Sequence, residues 1–164
     1  MLAVQVGLLA VVPARHMLAR SYGTPITLKT RPLDPYDLLS GYYVTLRYEV
    51  EEAAHTELTS KEHDMLDRGD RVWITIRRDQ PAWKFVSVTT ERPDTSSDPD
   101  TIAIPAKFEY HEVRMVGATR LYVPETQRDE AGRASESAFV DARVGSDGTV
   151  ALLRMRMGDK TYGE

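Results

Sequence analysis

The feature that most constrains the fold of this chain is a strict alternation of residue types between positions 42 and 50. Apolar residues at the even positions, Tyr42, Val44, Leu46, Tyr48 and Val50, alternate with Tyr43, Thr45, Arg47 and Glu49. Successive side chains of a β-strand point to opposite faces of its sheet, so this two-residue period predicts a strand whose even residues lie in the core. A strand with one buried face needs a packing partner, and we therefore expect a layered β fold.

The residues before this strand predict a single turn of helix. Asp34 is suited to the N-cap, Pro35 to the first helical position and Asp37 to the third, where an acidic group favours the helix start. We expect this turn to last to Ser40 and to end at Gly41, which favours a left-handed break. Because capping accounts for both aspartates, we do not expect them to act as a catalytic acid and base.

The same residues resemble the GDYxxLxY family of bacterial proteins, whose motif is Gly-Asp-Tyr-x-x-Leu-x-Tyr. Here residues 41–48 read Gly-Tyr-Tyr-Val-Thr-Leu-Arg-Tyr, and residues 119–125, Thr-Arg-Leu-Tyr-Val-Pro-Glu, are similar to a second hallmark of the family. The resemblance covers roughly residues 24–157, with one departure, because Tyr42 stands where the family has aspartate. It implies a small membrane-anchored domain outside the cytoplasm. The motif residues that we interpret as structural are Asp34, Pro35, Asp37, Gly41, Leu46 and Tyr48.

Length and composition predict one β domain, over residues 24–158, after an N-terminal segment over residues 1–20. The chain has 164 residues and a formal net charge of −4, with acidic and basic residues interspersed. The sequence therefore has no basic stretch of the kind that binds nucleic acid, and we expect no nucleic-acid partner. Cysteine is absent, which excludes disulfides, thiol nucleophiles and thiolate metal sites.

The N-terminal segment is apolar from Met1 to Val12 except for Gln5, and basic residues follow at Arg15 and Arg20. This run is shorter than the roughly 20 apolar residues that a membrane-spanning helix needs, and it lacks the basic start of a signal peptide. One interpretation is that this segment is the end of a membrane anchor. The chain would then contact the lipid bilayer through its N-terminus and have an integral membrane protein as a partner. The alternative is an amphipathic or core-packed helix of a soluble cytoplasmic protein.

The rest of the chain is predominantly of β character. Further strands are predicted at residues 26–31, 71–78, 83–90, 102–111, 113–123, 138–144 and 149–157. Two hairpins are expected, one with a loop at 79–82 and one with the Asp-Gly turn of Ser146-Asp147-Gly148. A helix is predicted over residues 58–67, a polar loop over 91–100, and a charged helical or loose segment over 124–137. About eight strands with an N-terminal apolar helix and one or two short helices indicate an antiparallel barrel or a two-layer sandwich.

Candidate catalytic and metal-binding residues are few. His55 and His63 flank the predicted helix without the spacing that places two ligands on one helical face, and Glu109 and His111 share only a strand face. The chain contains no phosphate-binding glycine loop, nucleophile elbow or His-Glu-x-x-His helix. We therefore predict no catalytic residue, metal site or cofactor.

The candidate binding residues are Tyr43, Arg47 and Trp73. Each lies out of phase with the apolar residues of its strand, so the three could present an aromatic and basic patch to a ligand or partner. The alternative for Tyr43 is that the 34–40 turn or the N-terminal helix covers it.

Three functions remain open from the sequence. The first, which we favour, is a membrane-anchored, non-catalytic binding or accessory module outside the cytoplasm. The second is a carrier that holds a small ligand inside a β-barrel, for which eight strands suffice. The third is a hydrolase, which would need His63 or His111 to meet an acid or a hydroxyl in one cleft.

Overall fold

The computed structural model describes residues 2–31, 39–40, 43–61, 67, 69–109 and 112–163. These residues form a mainly β fold in antiparallel sheets, which confirms the predicted class. The helices are α1 (Leu2–Tyr22), α2 (Glu49–Lys61) and α3 (Arg128–Ala134). The strands are β1 (Thr24–Lys29), β2 (Leu39–Ser40), β3 (Tyr43–Thr45), β4 (Arg71–Arg77), β5 (Lys84–Thr89), β6 (Thr101–Glu109), β7 (Glu112–Met115), β8 (Arg120–Tyr122), β9 (Phe139–Val144), β10 (Val150–Met157) and β11 (Lys160–Tyr162).

Three sheets organise the described strands. Their strand orders are β1-β9-β10-β11, β2-β3-β8 and β5-β4-β6-β7, and both predicted hairpins, β4 with β5 and β9 with β10, are confirmed. An isolated bridge between Thr30 and Tyr48 joins the first sheet to the second. The Trp83 N–H donates to the carbonyl oxygen of Thr27 at 2.8 Å and so ties the β4–β5 connection to the first sheet. The sheets therefore share one core.

The core is built from the alternating residues that the sequence predicts. Val44, Leu46 and Tyr48 are fully buried, as are five apolar residues of β4, β6 and β7: Val72, Ile74, Ile76, Ile104 and Met115. At about 25 cal/mol per Å² of apolar surface, such burial is the main favourable term in folding.

The predicted strand over residues 42–50 is wrong at its C-terminal end. The strand stops at Thr45, and α2 begins at Glu49. The cause is Glu51, the third residue of this helix, whose Oε2 accepts a hydrogen bond from the Tyr48 N–H at 3.1 Å, while the Glu51 N–H donates back to the Tyr48 carbonyl at 3.1 Å. A glutamate that reaches back to the N-cap N–H is half of a capping box, and it starts the helix here. Val50 remains buried because the first turn of α2 faces the core.

Three other predicted boundaries are also corrected. The helix predicted over 58–67 begins nine residues earlier, at Glu49, and residues 62–66 lie outside the described part of the chain. Leu39 and Ser40, predicted as the end of a helical turn, instead pair with Val44 and Tyr43 as β2. The strand predicted over 113–123 is divided into β7 and β8 by a turn at residues 116–117.

A crowded glycine lies in the β9–β10 turn. Gly148 has φ +86°, and a Cβ built on it would lie 2.7 Å from Cδ of Pro105 and 3.3 Å from the ring of Trp73. We expect Gly148→Ala to lower the free energy of unfolding by about 2–3 kcal/mol, because backbone strain adds to overpacking.

Gly158→Ala is the matched control for this substitution. Gly158 also has a positive φ, of +57°, but nothing lies within 4 Å of its added Cβ, so only about 1 kcal/mol of backbone strain is expected. Urea unfolding of both variants measures the difference, and equal losses would contradict the assigned contact with Pro105.

Candidate binding groove beside the N-terminal helix

The C-terminal half of α1 lies against the β9 and β10 strands. Ala19 is buried in this contact, and the helix ends at Tyr22; the N–H of the next residue, Gly23, donates to the Ala19 carbonyl at 2.9 Å. A Cβ on Gly23 would lie 2.4 Å from the Ala19 oxygen and 2.9 Å from the Val144 oxygen. Glycine therefore permits the close approach of the helix end to β9, and this approach fixes where the exposed residues of α1 lie.

One side of α1 borders a cleft of about 350 Å³, which we call the Tyr122 cleft. It is lined by residues of α1, the 116–117 turn, β8 and β10: His16, Met17, Arg20, Gly117, Arg120, Leu121, Tyr122, Val150, Ala151, Leu152 and Leu153. No acidic residue is among them. Arg20 and Arg120 are exposed, and neither forms an ion pair within the described part of the chain.

A second cleft, of about 230 Å³, adjoins the first, and we call it the Trp73 cleft. The two share His16, Gly117 and Val150. The basic residues of the Trp73 cleft are Arg15, Arg71 and Lys107, and its acid is Asp147, which lies 3.8 Å from Nε of Arg15.

Together the two clefts form a surface that we call the basic groove. Its basic residues, apart from His16, are Arg15, Arg20, Arg71, Lys107 and Arg120. The groove thus has five Lys and Arg side chains against one acid, although the whole chain carries a net charge of −4. Such segregation of charge produces a local positive potential that attracts anions.

Exposed or partly exposed aromatic residues lie at both ends of the basic groove. Tyr122 pairs across the strands with Tyr43, with ring centroids 6.0 Å apart in an edge-to-face arrangement, and the two residues are 53% and 44% exposed. At the other end, the guanidinium of Arg92 lies 5.1 Å from the centroid of the Trp73 ring. Tyrosine and tryptophan bind well at surfaces that are apolar on one side and wet on the other.

Of the three predicted binding residues, Trp73 lines the Trp73 cleft, and Tyr43 contacts Tyr122, which lines the other cleft. Tyr43 is 44% exposed, and residues 34–38 of the turn predicted to cover it lie outside the described part of the chain. Sequence reasoning missed most of the groove, including Arg20 and Arg120, because no local pattern distinguishes these arginines from other surface charges.

Arg47 has a different environment. Its side chain is only 12% exposed and pairs with Glu112, whose carboxylate also accepts from Nε of Arg114 at 3.2 Å. Partial burial raises the pKa of Glu112, but the hydrogen bond from Arg47 and the nearby guanidinium groups outweigh it and hold the pKa below its usual value. The contacts of Arg47 thus join β7 to the segment after β3, away from the residues that line the groove.

The other motif residues described by the structure bind the second sheet to the chain around residue 118. The Leu46 N–H donates to the Thr119 carbonyl at 2.8 Å, and the buried Tyr48 hydroxyl donates to the Ala118 carbonyl at 2.8 Å. Both side chains are fully buried. Asp34, Pro35, Asp37, Gly41 and Tyr42 lie outside the described residues.

Glu51 is the most perturbed acid that the structure describes. Its Oε1 accepts the Met115 N–H at 2.8 Å, and its Oε2 accepts the Tyr48 N–H, so one carboxyl group joins α2 to β7. Burial raises its pKa to about 7, against the opposing effects of these two hydrogen bonds and of Arg114 and Arg47. Its partners are backbone groups within the core, which indicates a structural role.

The predicted histidine positions give no catalytic or metal-binding arrangement within the described residues. His55 lies on α2 with its Nε2 3.5 Å from the Thr59 hydroxyl, while His63 and His111 fall outside the described part. Among the residues described, no three His, Asp or Glu side chains are grouped to hold a metal ion.

The fold and the motif contacts define a class of small antiparallel β domain with a helix packed on one sheet. The chain belongs to the GDYXXLXY protein family, whose model matches residues 5–155. No curated protein and no solved structure matches this chain. In the part of the chain that the structure describes, no helix is both long enough and apolar enough to cross a membrane.

Proposed function

We propose that this chain is a non-catalytic binding module that α1 attaches to a membrane, with its β domain outside the cytoplasm. In this position it would act as an accessory domain to an integral membrane protein. The observation that carries the proposal is the basic groove, because it lies along α1 and combines positive charge with exposed aromatic rings.

The N-terminal segment supports attachment at a membrane. Residues 2–12 of α1 are apolar except for Gln5, and basic residues follow directly at Arg15 and Arg20. Apolar helices followed by basic side chains bind at bilayer interfaces, where the charged groups remain in the headgroup region. The resemblance described above implies the same location.

The alternative of a ligand carried inside a barrel has less support. Large side chains that are fully buried occupy the interior, among them Tyr48, Ile74, Ile104, Met115 and Met155. The clefts beside α1 open to the surface instead, and surface clefts suit a docking role better than the enclosed transport of a small molecule.

Membrane fractionation of the native protein tests the proposal. We expect the protein to sediment with membranes, to remain there after a high-salt wash, and to crosslink to an integral membrane protein. Removal of residues 2–12 should release the protein, because it removes the apolar part of α1. A native protein found only in the soluble fraction would refute membrane attachment.

A further inference from the structure

We propose that the basic groove binds anionic phospholipid headgroups at the bilayer surface. This inference rests on the proposed membrane attachment and adds the chemistry that the groove recognises. In this arrangement α1 supplies apolar attachment, and the groove orients the β domain on the membrane.

The charges of the groove are complementary to an anionic surface. Arg20 and Arg120 line the Tyr122 cleft without an acid beside them, and Arg71 and Lys107 extend the positive charge into the Trp73 cleft. Each Lys or Arg near an anionic bilayer adds to binding through the negative surface potential. Because these residues are spread over two adjoining clefts, they match a surface with many anionic groups.

The groove also has apolar walls, which favour a lipid over a free anion. Leu152 and Leu153, both half-buried, line the Tyr122 cleft, and Met17 in the same lining is 70% exposed. A free phosphate would gain nothing from these groups, whereas a lipid presents glycerol and acyl carbons beside its phosphate.

The aromatic pair has the position expected at a membrane interface. Tyr43 and Tyr122 are both exposed, and Tyr122 itself lines the groove. Tyrosine is enriched at the level of the headgroups, where its ring meets apolar carbon and its hydroxyl meets water. The Tyr43 position of the signature motif would thus have a binding role, although its neighbours Leu46 and Tyr48 are core residues.

Flotation of the full chain with lipid vesicles tests the inference. We expect binding to rise with the fraction of phosphatidylglycerol in phosphatidylcholine vesicles and to weaken as salt is added. Arg20→Gln combined with Arg120→Gln should lower the partition coefficient about thirtyfold, from two lost charges near the surface. Both arginines are exposed, so the variant is expected to keep its circular dichroism spectrum and its unfolding midpoint.

The control for a net-charge effect is Arg78→Gln combined with Lys84→Gln, two residues that form ion pairs with Asp100 and Asp79. Both residues are exposed, and their substitution also removes two positive charges, but they line neither cleft of the groove. We expect the control to bind the same vesicles within about threefold of the unmodified protein, since long-range attraction is screened beyond roughly 10 Å in salt.

Several results would overturn the inference while leaving the proposed function intact. Equal binding to vesicles with and without phosphatidylglycerol would show attachment through apolar contacts alone. Equal losses in the groove variant and in the control would show a net-charge effect. Displacement from vesicles by inorganic phosphate at constant ionic strength, or tight binding of a polyglutamate peptide without vesicle binding, would assign the groove to a soluble anion. Vesicle binding by a natively soluble protein would instead refute the proposed function.

Discussion

Raising the pH from 4.5 to above 7 is expected to lower the free energy of unfolding of this protein by about 3 kcal/mol through Glu51 alone. The carboxyl group is almost completely buried, and burial raises its pKa from 4.5 to about 7. One pKa unit corresponds to about 1.4 kcal/mol, so the shift gives an effect of this order.

The sign follows from where the proton is held more tightly. Between the two pKa values, the folded protein keeps the Glu51 proton while the unfolded chain has released it, so the folded state binds more protons. Stability is therefore fully present below pH 4.5 and is lost progressively as the pH rises through about 7. Urea unfolding at a series of pH values measures this loss directly.

Comparison with Glu51→Gln isolates the contribution of this residue. The amide does not titrate, so the variant should not lose the roughly 3 kcal/mol of unfolding free energy as the pH rises. It should be less stable than the unmodified protein at low pH, because an NH₂ group cannot accept the second backbone hydrogen bond. Glu52→Gln is the control, because Glu52 is the next residue of α2 and is exposed. If the pH dependence of the free energy of unfolding persists in Glu51→Gln and disappears in Glu52→Gln, the effect belongs to Glu52 and the assignment to Glu51 is wrong.

Glu51 also explains why the strand predicted over residues 42–50 is correct only up to residue 45. Alternation correctly identifies the buried face through Val50, since both a strand and the first turn of α2 direct that residue inward. The change from strand to helix depends on one carboxyl group, which caps α2 at Tyr48 and also holds Met115 of β7. The second contact joins residues 64 positions apart, and no local pattern contains it.

In the candidate groove, too, the sequence pattern of a single strand identifies some residues, while others depend on contacts between residues distant in sequence. The out-of-phase positions of Tyr43 and Trp73 could be recognised along single strands; Trp73 lines the groove, and Tyr43 contacts the groove residue Tyr122. Arg47 has the same local signal but pairs with Glu112, 65 residues later in the chain. The neighbours of a charged residue thus decide whether it is available to a ligand, and packing between elements distant in sequence places those neighbours.

Substitutions in the signature motif should affect stability differently at its core and surface positions. Of the two substitutions compared below, Leu46→Ala is expected to lower the free energy of unfolding more. Leu46 is fully buried between the sheets, and loss of such a side chain typically costs about 2–5 kcal/mol, because it leaves a cavity as well as removing apolar burial. Many domains are stable by only about 5–15 kcal/mol, so the variant should unfold at markedly lower urea concentration with an unchanged slope.

Tyr43→Ala, three residues earlier in the chain, tests the opposite expectation. Its ring is partly exposed and contacts Tyr122 edge-to-face, a contact worth about 0.5–1.5 kcal/mol, so stability should fall by about 1 kcal/mol. Vesicle binding should fall with it, because Tyr43 supports the aromatic end of the groove, whereas folded Leu46→Ala protein should bind normally. If Tyr43→Ala instead destabilises the protein as much as Leu46→Ala and leaves vesicle binding unchanged, the motif is structural throughout. The two substitutions, three residues apart, therefore decide whether this signature specifies only a fold or also a membrane-binding surface.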